Sequence, residues 1–147
     1  MDETTKKQLE SMNQQVKELT AIYHRVASSH CISDNEFWVW YALLIVNGEY
    51  SQQDICDLWL LPKQTVNSVV TNLTKKGFLT LKPVPGTRNR KIICLTEAGH
   101  AYGEAIVANI YQAEQRTLEK LSEQERQLGI ALFGRYIALL KEELDEK

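Results

Sequence analysis

Between Pro62 and Leu95 the apolar residues change period, and that change restricts the fold more than any other feature of the chain. Val66, Val69, Val70 and Leu73 stand at i, i+3, i+4 and i+7, the stripe that one face of an α-helix buries. Pro62 suits the first turn of that helix, and Gly77 ends it. Phe78 to Lys82 and Arg90 to Leu95 then read as two strands. Between them lies Pro83-Val84-Pro85-Gly86-Thr87-Arg88-Asn89, a turn-rich loop with a basic tip. Its prolines and charges are those an edge hairpin carries against aggregation.

The flanking segments are helical. A first helix over about Thr5 to Ser28 places Leu9, Met12, Val16, Leu19, Tyr23 and Val26 on alternating steps of three and four, a heptad-like seam that packs on a helix of this chain or of a partner. Ser33 and Glu36 form a capping-box pattern before a second helix that runs to Val46. That helix is apolar all round and is expected at the centre, stopped by Asn47-Gly48. Ser51 caps a short third helix from Gln52 to about Trp59, with Ile55, Leu58 and Trp59 as its apolar face. A turn at Leu60-Leu61 leads to the fourth helix, which continues to about Lys76. Thr96 caps a fifth helix over about Glu97 to Lys120. Ser122 and Glu125 open a sixth, to about Leu144, with Leu128, Leu132, Tyr136, Leu139 and Leu140 on one face.

The 147 residues carry a net charge of −2, which argues against a polyanionic partner until the charges are located. Ser51 to Gly99 holds seven basic and three acidic residues, hence +4, whereas the ten basic and sixteen acidic residues elsewhere give −6. A basic middle between acidic ends suits one face that meets a polyanion. The longest apolar run, Phe37 to Val46, is too short to cross a bilayer. No apolar signal region follows the charges of the N-terminus, and a cytoplasmic location is expected. Cys31, Cys56 and Cys94 are odd in number and lack zinc-type spacing, so reduced thiols are expected rather than disulfides.

The chemistry concentrates on the fourth helix. Its outward residues are Lys63, Gln64, Thr65, Asn67, Ser68, Thr71 and Asn72, with no carboxylate among them. Gln and Asn can bond base edges, while Lys, Ser and Thr suit phosphate oxygens. A solvated polar face on an ordinary helix has similar residues. The order of parts favours binding: a short helix, a tight turn and a polar-faced helix make a helix-turn-helix, whose second helix enters the major groove of duplex DNA. The hairpin tip, Thr87, Arg88, Asn89, Arg90 and Lys91, offers arginines suited to a narrow minor groove, or charges that merely keep a loop solvated. Trp38, Tyr41 and Trp59, with Trp40 nearby, are either core or the lining of a pocket for a small effector. Cys31, beside His30 in an expected loop, is the candidate redox thiol. His24, His30 and Cys31 are the residues a metal would use, although no metal or other cofactor is expected. No Ser-His-Asp, H-E-x-x-H or phosphate-loop pattern suggests an enzyme. An adaptor that binds no DNA is the remaining class, but it has no reason to keep the fourth helix free of acids.

Thr65-Val66-Asn67-Ser68-Val69-Val70-Thr71-Asn72-Leu73-Thr74-Lys75-Lys76-Gly77-Phe78-Leu79 resembles the recognition-helix signature of the MarR (multiple antibiotic resistance regulator) family. Ile92-Ile93-Cys94-Leu95-Thr96-Glu97-Ala98-Gly99 resembles its second wing strand and following cap, and Leu121-Ser122-Glu123-Gln124-Glu125 the start of its last helix. The resemblance implies a mainly α fold with a small β-hairpin wing, a winged helix-turn-helix with N- and C-terminal dimerisation helices. Residues 33–99 would form the DNA-binding part, and residues 1–32 and 100–147 the helical dimerisation part of one intertwined domain. It implies a homodimer on a pseudo-palindromic double-stranded DNA operator, acting as a repressor released by a small molecule or an oxidant, with no membrane involved. By position, the base-reading helix is Pro62 to Lys75 and the wing-tip arginine is Arg88. Thr87 stands where the family usually has Asp, which removes an Asp–Arg arrangement that would orient the wing; Arg90 is the alternative to Arg88 for the wing-tip role, shared or in its place.

Overall fold

The structure, a computed structural model, describes residues 1–46 and 48–144. They form α1 (Glu3–Ser29), α2 (Asp34–Ile45), α3 (Gln52–Trp59), α4 (Lys63–Lys75), β1 (Leu79–Pro83), β2 (Lys91–Leu95), α5 (Glu97–Glu119) and α6 (Glu123–Glu143). The expected order of helices and hairpin is therefore present, with ends shifted by one or two residues. Asn47, expected to help stop α2, lies outside the described residues.

The helix starts follow local chemistry. The Asp2 side chain accepts from the Thr5 backbone N–H, which begins α1 earlier than the apolar seam alone indicates. The Ser33 hydroxyl accepts from the Glu36 N–H, as a cap should. The reciprocal half of that expected box is replaced: the Glu36 carboxylate accepts from the Trp40 indole Nε1 at 3.2 Å, because the buried indole needs a partner. Ser51 with Asp54 and Ser122 with Glu125 make complete capping boxes at α3 and α6.

The chain divides into two compact units, Met1–Asn109 and Ile110–Lys147, and the division falls inside α5. In the first unit α2 is central: Phe37, Val39, Trp40 and Ala42 are fully buried. Ile55 of α3, Val66, Val70 and Leu73 of α4, and Ile106 and Val107 of α5 are buried as well. Burial of each large side chain contributes about 1.5–3 kcal/mol. The inward face of α3 differs from the expected one. Ile55 and Cys56 are buried, whereas Leu58 is 48 % exposed, because one residue's rotation on so short a helix turns its side chain to solvent. In α1 Ala27 is buried and Tyr23 packs on Phe37 and Trp38, whereas Met12, Val16 and Leu19 of its seam are exposed.

The second unit pairs the end of α5 with α6. Arg126 donates from Nη1 to the carbonyls of Leu118 and Leu121 and so fastens the connecting turn. No residue of α6 is buried, and Leu128, Ile130, Leu132, Phe133, Leu139 and Leu140 are all exposed.

One junction in the first unit joins three elements. α4 ends in a Schellman motif, with Phe78 N–H donating to the Leu73 carbonyl and Gly77 N–H to that of Thr74, Gly77 having φ 78°. Thr96 then reaches back: its N–H donates to the Phe78 carbonyl and its hydroxyl to the Gly77 carbonyl, while the hydroxyl oxygen accepts from Gly99 N–H at the start of α5. A Cβ on Gly99 would stand 1.9 Å from the Phe78 carbonyl oxygen. Gly99→Ala should therefore lower stability by about 2 kcal/mol or more, as overpacking against backbone does. Thermal unfolding followed by circular dichroism measures this, and an unchanged midpoint would contradict the close approach.

Candidate nucleic-acid interface

The sequence KQTVNSVVTNLTK contains no acid, and the structure divides it by face. Val66, Val70 and Leu73 are buried, and Val69 is half-buried. Lys63, Gln64, Asn67, Ser68, Thr71 and Asn72 are exposed, with Thr65 half-buried at the margin. Pro62, the N-cap of α4, provides no side-chain hydrogen bond, so the first-turn N–H groups are uncapped by side chains. Such groups favour anions such as phosphate.

The wing is a regular antiparallel hairpin with Leu79 opposite Leu95 and Pro83 opposite Lys91. Beyond the strands, Val84 N–H donates to the Arg90 carbonyl at 2.9 Å. Pro85 and Gly86 occupy the centre of a turn in which both the N–H and the hydroxyl of Thr87 donate to the Val84 carbonyl. Gly86 has φ 77°, matching the Pro-Gly preference of a type II turn. Thr87 thus organises the tip through backbone bonds. Arg88, Asn89 and Lys91 are exposed.

Arg90 has a different situation. Its Nη2 donates to Asp54 Oδ2 at 2.7 Å and its Nη1 approaches Oδ1 at 3.4 Å. Asp54 is also the reciprocal member of the α3 capping box, accepting from Ser51 N–H at 2.7 Å and from the Ser51 hydroxyl at 2.9 Å. One carboxylate therefore caps α3 and holds the wing against it. The Ser51 N–H bond is the main reason its carboxyl stays below the usual carboxylate range, aided by the Ser51 hydroxyl and the Arg90 charge against a partial desolvation. A link between an acid and a wing arginine exists, but it runs from α3 to Arg90 instead of along the tip. The sequence reading missed Asp54; the spacing Ser51-x-x-Asp54 was its available signal.

A cleft of about 590 Å³ between α3, α4 and the wing brings together Gln52, Gln53, Lys63, Asn67, Asn89 and Lys91, with Arg90 in its wall. Gln52 and Gln53 were not anticipated as part of this surface. Gln64, Ser68, Thr71, Asn72 and Arg88 lie outside the cleft lining, exposed on the same helix and hairpin.

The aromatic residues separate into two groups. Trp40 packs with Phe78 and Tyr102 in the core. Trp38 and Trp59 stack at 4.9 Å and 22°, with Tyr41 edge-on to Trp59 at 5.5 Å. The Trp59 indole N–H is buried without a hydrogen-bond partner among the described residues. Trp38 lines the cavity between α1 and α2, and Tyr41 and Trp59, which are not in that lining, contact its indole.

Cys31 is exposed just after α1, in a left-handed conformation with φ 56°. Cys56 is buried, and that burial pushes its thiol up, away from reactivity. Among the described residues no three His, Cys, Asp or Glu side chains gather as metal ligands. His24 instead directs Nδ1 at the Asp34 carboxylate, at 2.9 Å. No described helix is long and apolar enough to cross a membrane.

Asp54→Ala should remove both the cap and the wing anchor, at a cost of about 1–2 kcal/mol, most of it from the cap because the ion pair is part-exposed. The folded carboxyl titrates below its unfolded value, so this contribution is present at neutral pH and lost on acidification. The stability gap between wild type and variant should close between about pH 5 and pH 2. Urea unfolding at a series of pH values tests this; a gap that persists at the acid end would rule out the ionised Asp54 as its source.

The MarR family profile matches residues 32–88, which span α2, α3, α4, β1 and most of the tip. The HTH-type transcriptional repressor NicR of Pseudomonas putida is 27% identical over 107 residues, covering 73% of this chain and 67% of NicR. A MarR family regulator from Neisseria meningitidis, NMB1585, superposes with a TM-score of 0.79 at 21% identity, over 95% of this chain and 97% of that one. S. aureus MepR, in a MepR–DNA complex, superposes with a TM-score of 0.63 at 23% identity, over 89% and 96% of the two chains. The structural likenesses establish the winged helix fold, and residues 32–88 are similar to the MarR family.

Proposed function

We propose that the chain is a cytoplasmic, homodimeric transcriptional repressor that binds a pseudo-palindromic DNA operator and responds to a small-molecule effector. The observation that carries the DNA-binding reading is the acid-free outward face of α4 beside the basic edge of the wing. In this reading Gln64 and Asn67 face base edges in the major groove, where amides can pair bidentately with adenine. Lys63, Ser68, Thr71 and the N-terminal backbone of α4 hold phosphates. Arg88 enters the neighbouring minor groove, and Arg90 keeps the hairpin at a fixed distance from α3.

The dimer reading is supported by the apolar residues left exposed on α1 and α6, which a second copy would cover. Residues 1–32 and 100–147 would supply that surface. A two-fold dimer presents two copies of α4 to half-sites about 34–36 Å apart. Trp38, Tyr41 and Trp59 support an effector response, because their ring contacts connect the α1–α2 cavity to α3 of the helix-turn-helix.

Gel retardation with the DNA upstream of its own gene is the direct test. A shift at low salt is expected, with log affinity falling against log salt at a slope on the order of −7 if eight phosphates are neutralised. Arg88→Ala should weaken binding to all sequences alike and reduce that slope by about one. Gln64→Ala or Asn67→Ala should change the preferred bases, by about 1–3 kcal/mol at one position. Absence of any shift at low salt, with and without candidate ligands, would overturn the reading.

A further inference from the structure

Between α1 and α2 of the first unit lies a cavity of about 330 Å³. Tyr23, Phe37 and Trp38 form its aromatic wall, with ring centroids 4.9–6.0 Å apart, and Leu19 adds aliphatic surface. Its polar side is Asp34 with His24, and the lining contains neither Lys nor Arg. The His24 Nδ1 lies 2.9 and 3.1 Å from the two Asp34 carboxylate oxygens, and its Nε2 lies 3.4 Å from the Ser28 hydroxyl. Nδ1–H donates to the Asp34 carboxylate, and Nε2 shares a hydrogen with the Ser28 hydroxyl. Both side chains are about half exposed, so a ligand can reach them.

We infer that this cavity binds a compact organic cation, an ammonium group on an aromatic or apolar body; the inference rests on the effector reading above and gives the effector its chemical class. Aromatic faces present negative quadrupole potential to a cation, and a single carboxylate, with no Lys or Arg in the lining, completes the site. An aromatic carboxylate of the same size would meet Asp34 with no guanidinium or ammonium to offset the repulsion. An apolar side chain from a second copy would fill the volume and leave the Asp34 charge with only His24. The volume is at the low end for ligand pockets and suits one ring with a short amine chain. A ligand against Trp38 also presses on the indole that stacks on Trp59 of α3, so its binding has a direct packing route to the helix-turn-helix.

Three probes of matched size separate the possibilities: 2-phenylethylammonium, 2-phenylethanol and phenylacetate. Each is titrated into the full chain by calorimetry, with tryptophan fluorescence in parallel. The ammonium should bind at least roughly tenfold more tightly than the other two, as expected of a part-desolvated cation–π and carboxylate contact. Asp34→Asn should abolish that preference and leave the affinity for the alcohol unchanged, while Tyr23→Leu should weaken the ammonium specifically. Retained DNA binding by either variant shows that it is folded. No saturable binding of the ammonium, equal or tighter binding of phenylacetate, or a preference that survives Asp34→Asn would each overturn the cation site. Gel retardation with the same ligands distinguishes the two levels. An ammonium that binds selectively without altering the DNA shift leaves the cation site standing and removes the effector reading. Phenylacetate that binds and releases DNA does the reverse.

Discussion

The Phe78 carbonyl lies where α4 has ended, the first wing strand begins and the fifth helix starts. It accepts from Thr96 N–H, and its approach to α5 is possible only because residue 99 has no side chain. Thr96 uses its hydroxyl as donor to α4's last turn and as acceptor for the first turn of α5. Helix, hairpin and long helix are thereby tied through backbone groups, which have far less freedom than packed side chains. The outward face of α4 has a defined direction relative to the wing because both depart from this fixed point.

A second tie acts at the other side of the hairpin. Asp54 completes the cap of α3 and accepts from Arg90, joining the first helix of the helix-turn-helix to the far strand of the wing. The two functions share one charge, so the helix start and the wing position are coupled. Arg90 is consequently committed to the protein, while Arg88, two residues away, keeps its side chain in solvent. Neighbouring arginines on one loop thus acquire different tasks from a single carboxylate 36 residues distant.

The two units differ in how they satisfy their apolar residues. The first surrounds α2 with four other elements and buries aromatic and branched side chains completely. The second has two helical segments, too few to cover the apolar residues distributed around α6. A helix apolar on more than one side needs more neighbours than one antiparallel partner provides. This unburied surface fits an assembly of two copies, as the exposed seam of α1 does.

Helices, hairpin and their order were legible because each is written in local periodicity: the 3.6-residue stripe of Val66, Val70 and Leu73, the glycine stop at Gly77, and the serine and threonine caps. The polar face of α4 was legible for the same reason, since a helix that buries one stripe must expose the opposite one. The orientation of α3 was not, because eight residues hold too few turns to distinguish Leu58 from Cys56 as the inward residue. Nor did periodicity indicate that Trp38 would stack on Trp59 while Trp40 turned to Phe78 and Tyr102, as this depends on which elements lie beside each face of α2. The sequence by itself determined the elements and which residues each presents outward. Only the tertiary structure decided that Asp54 holds Arg90 and that Asp34 and His24 meet beside an aromatic wall, because those contacts join residues whose separation in sequence carries no periodic signal.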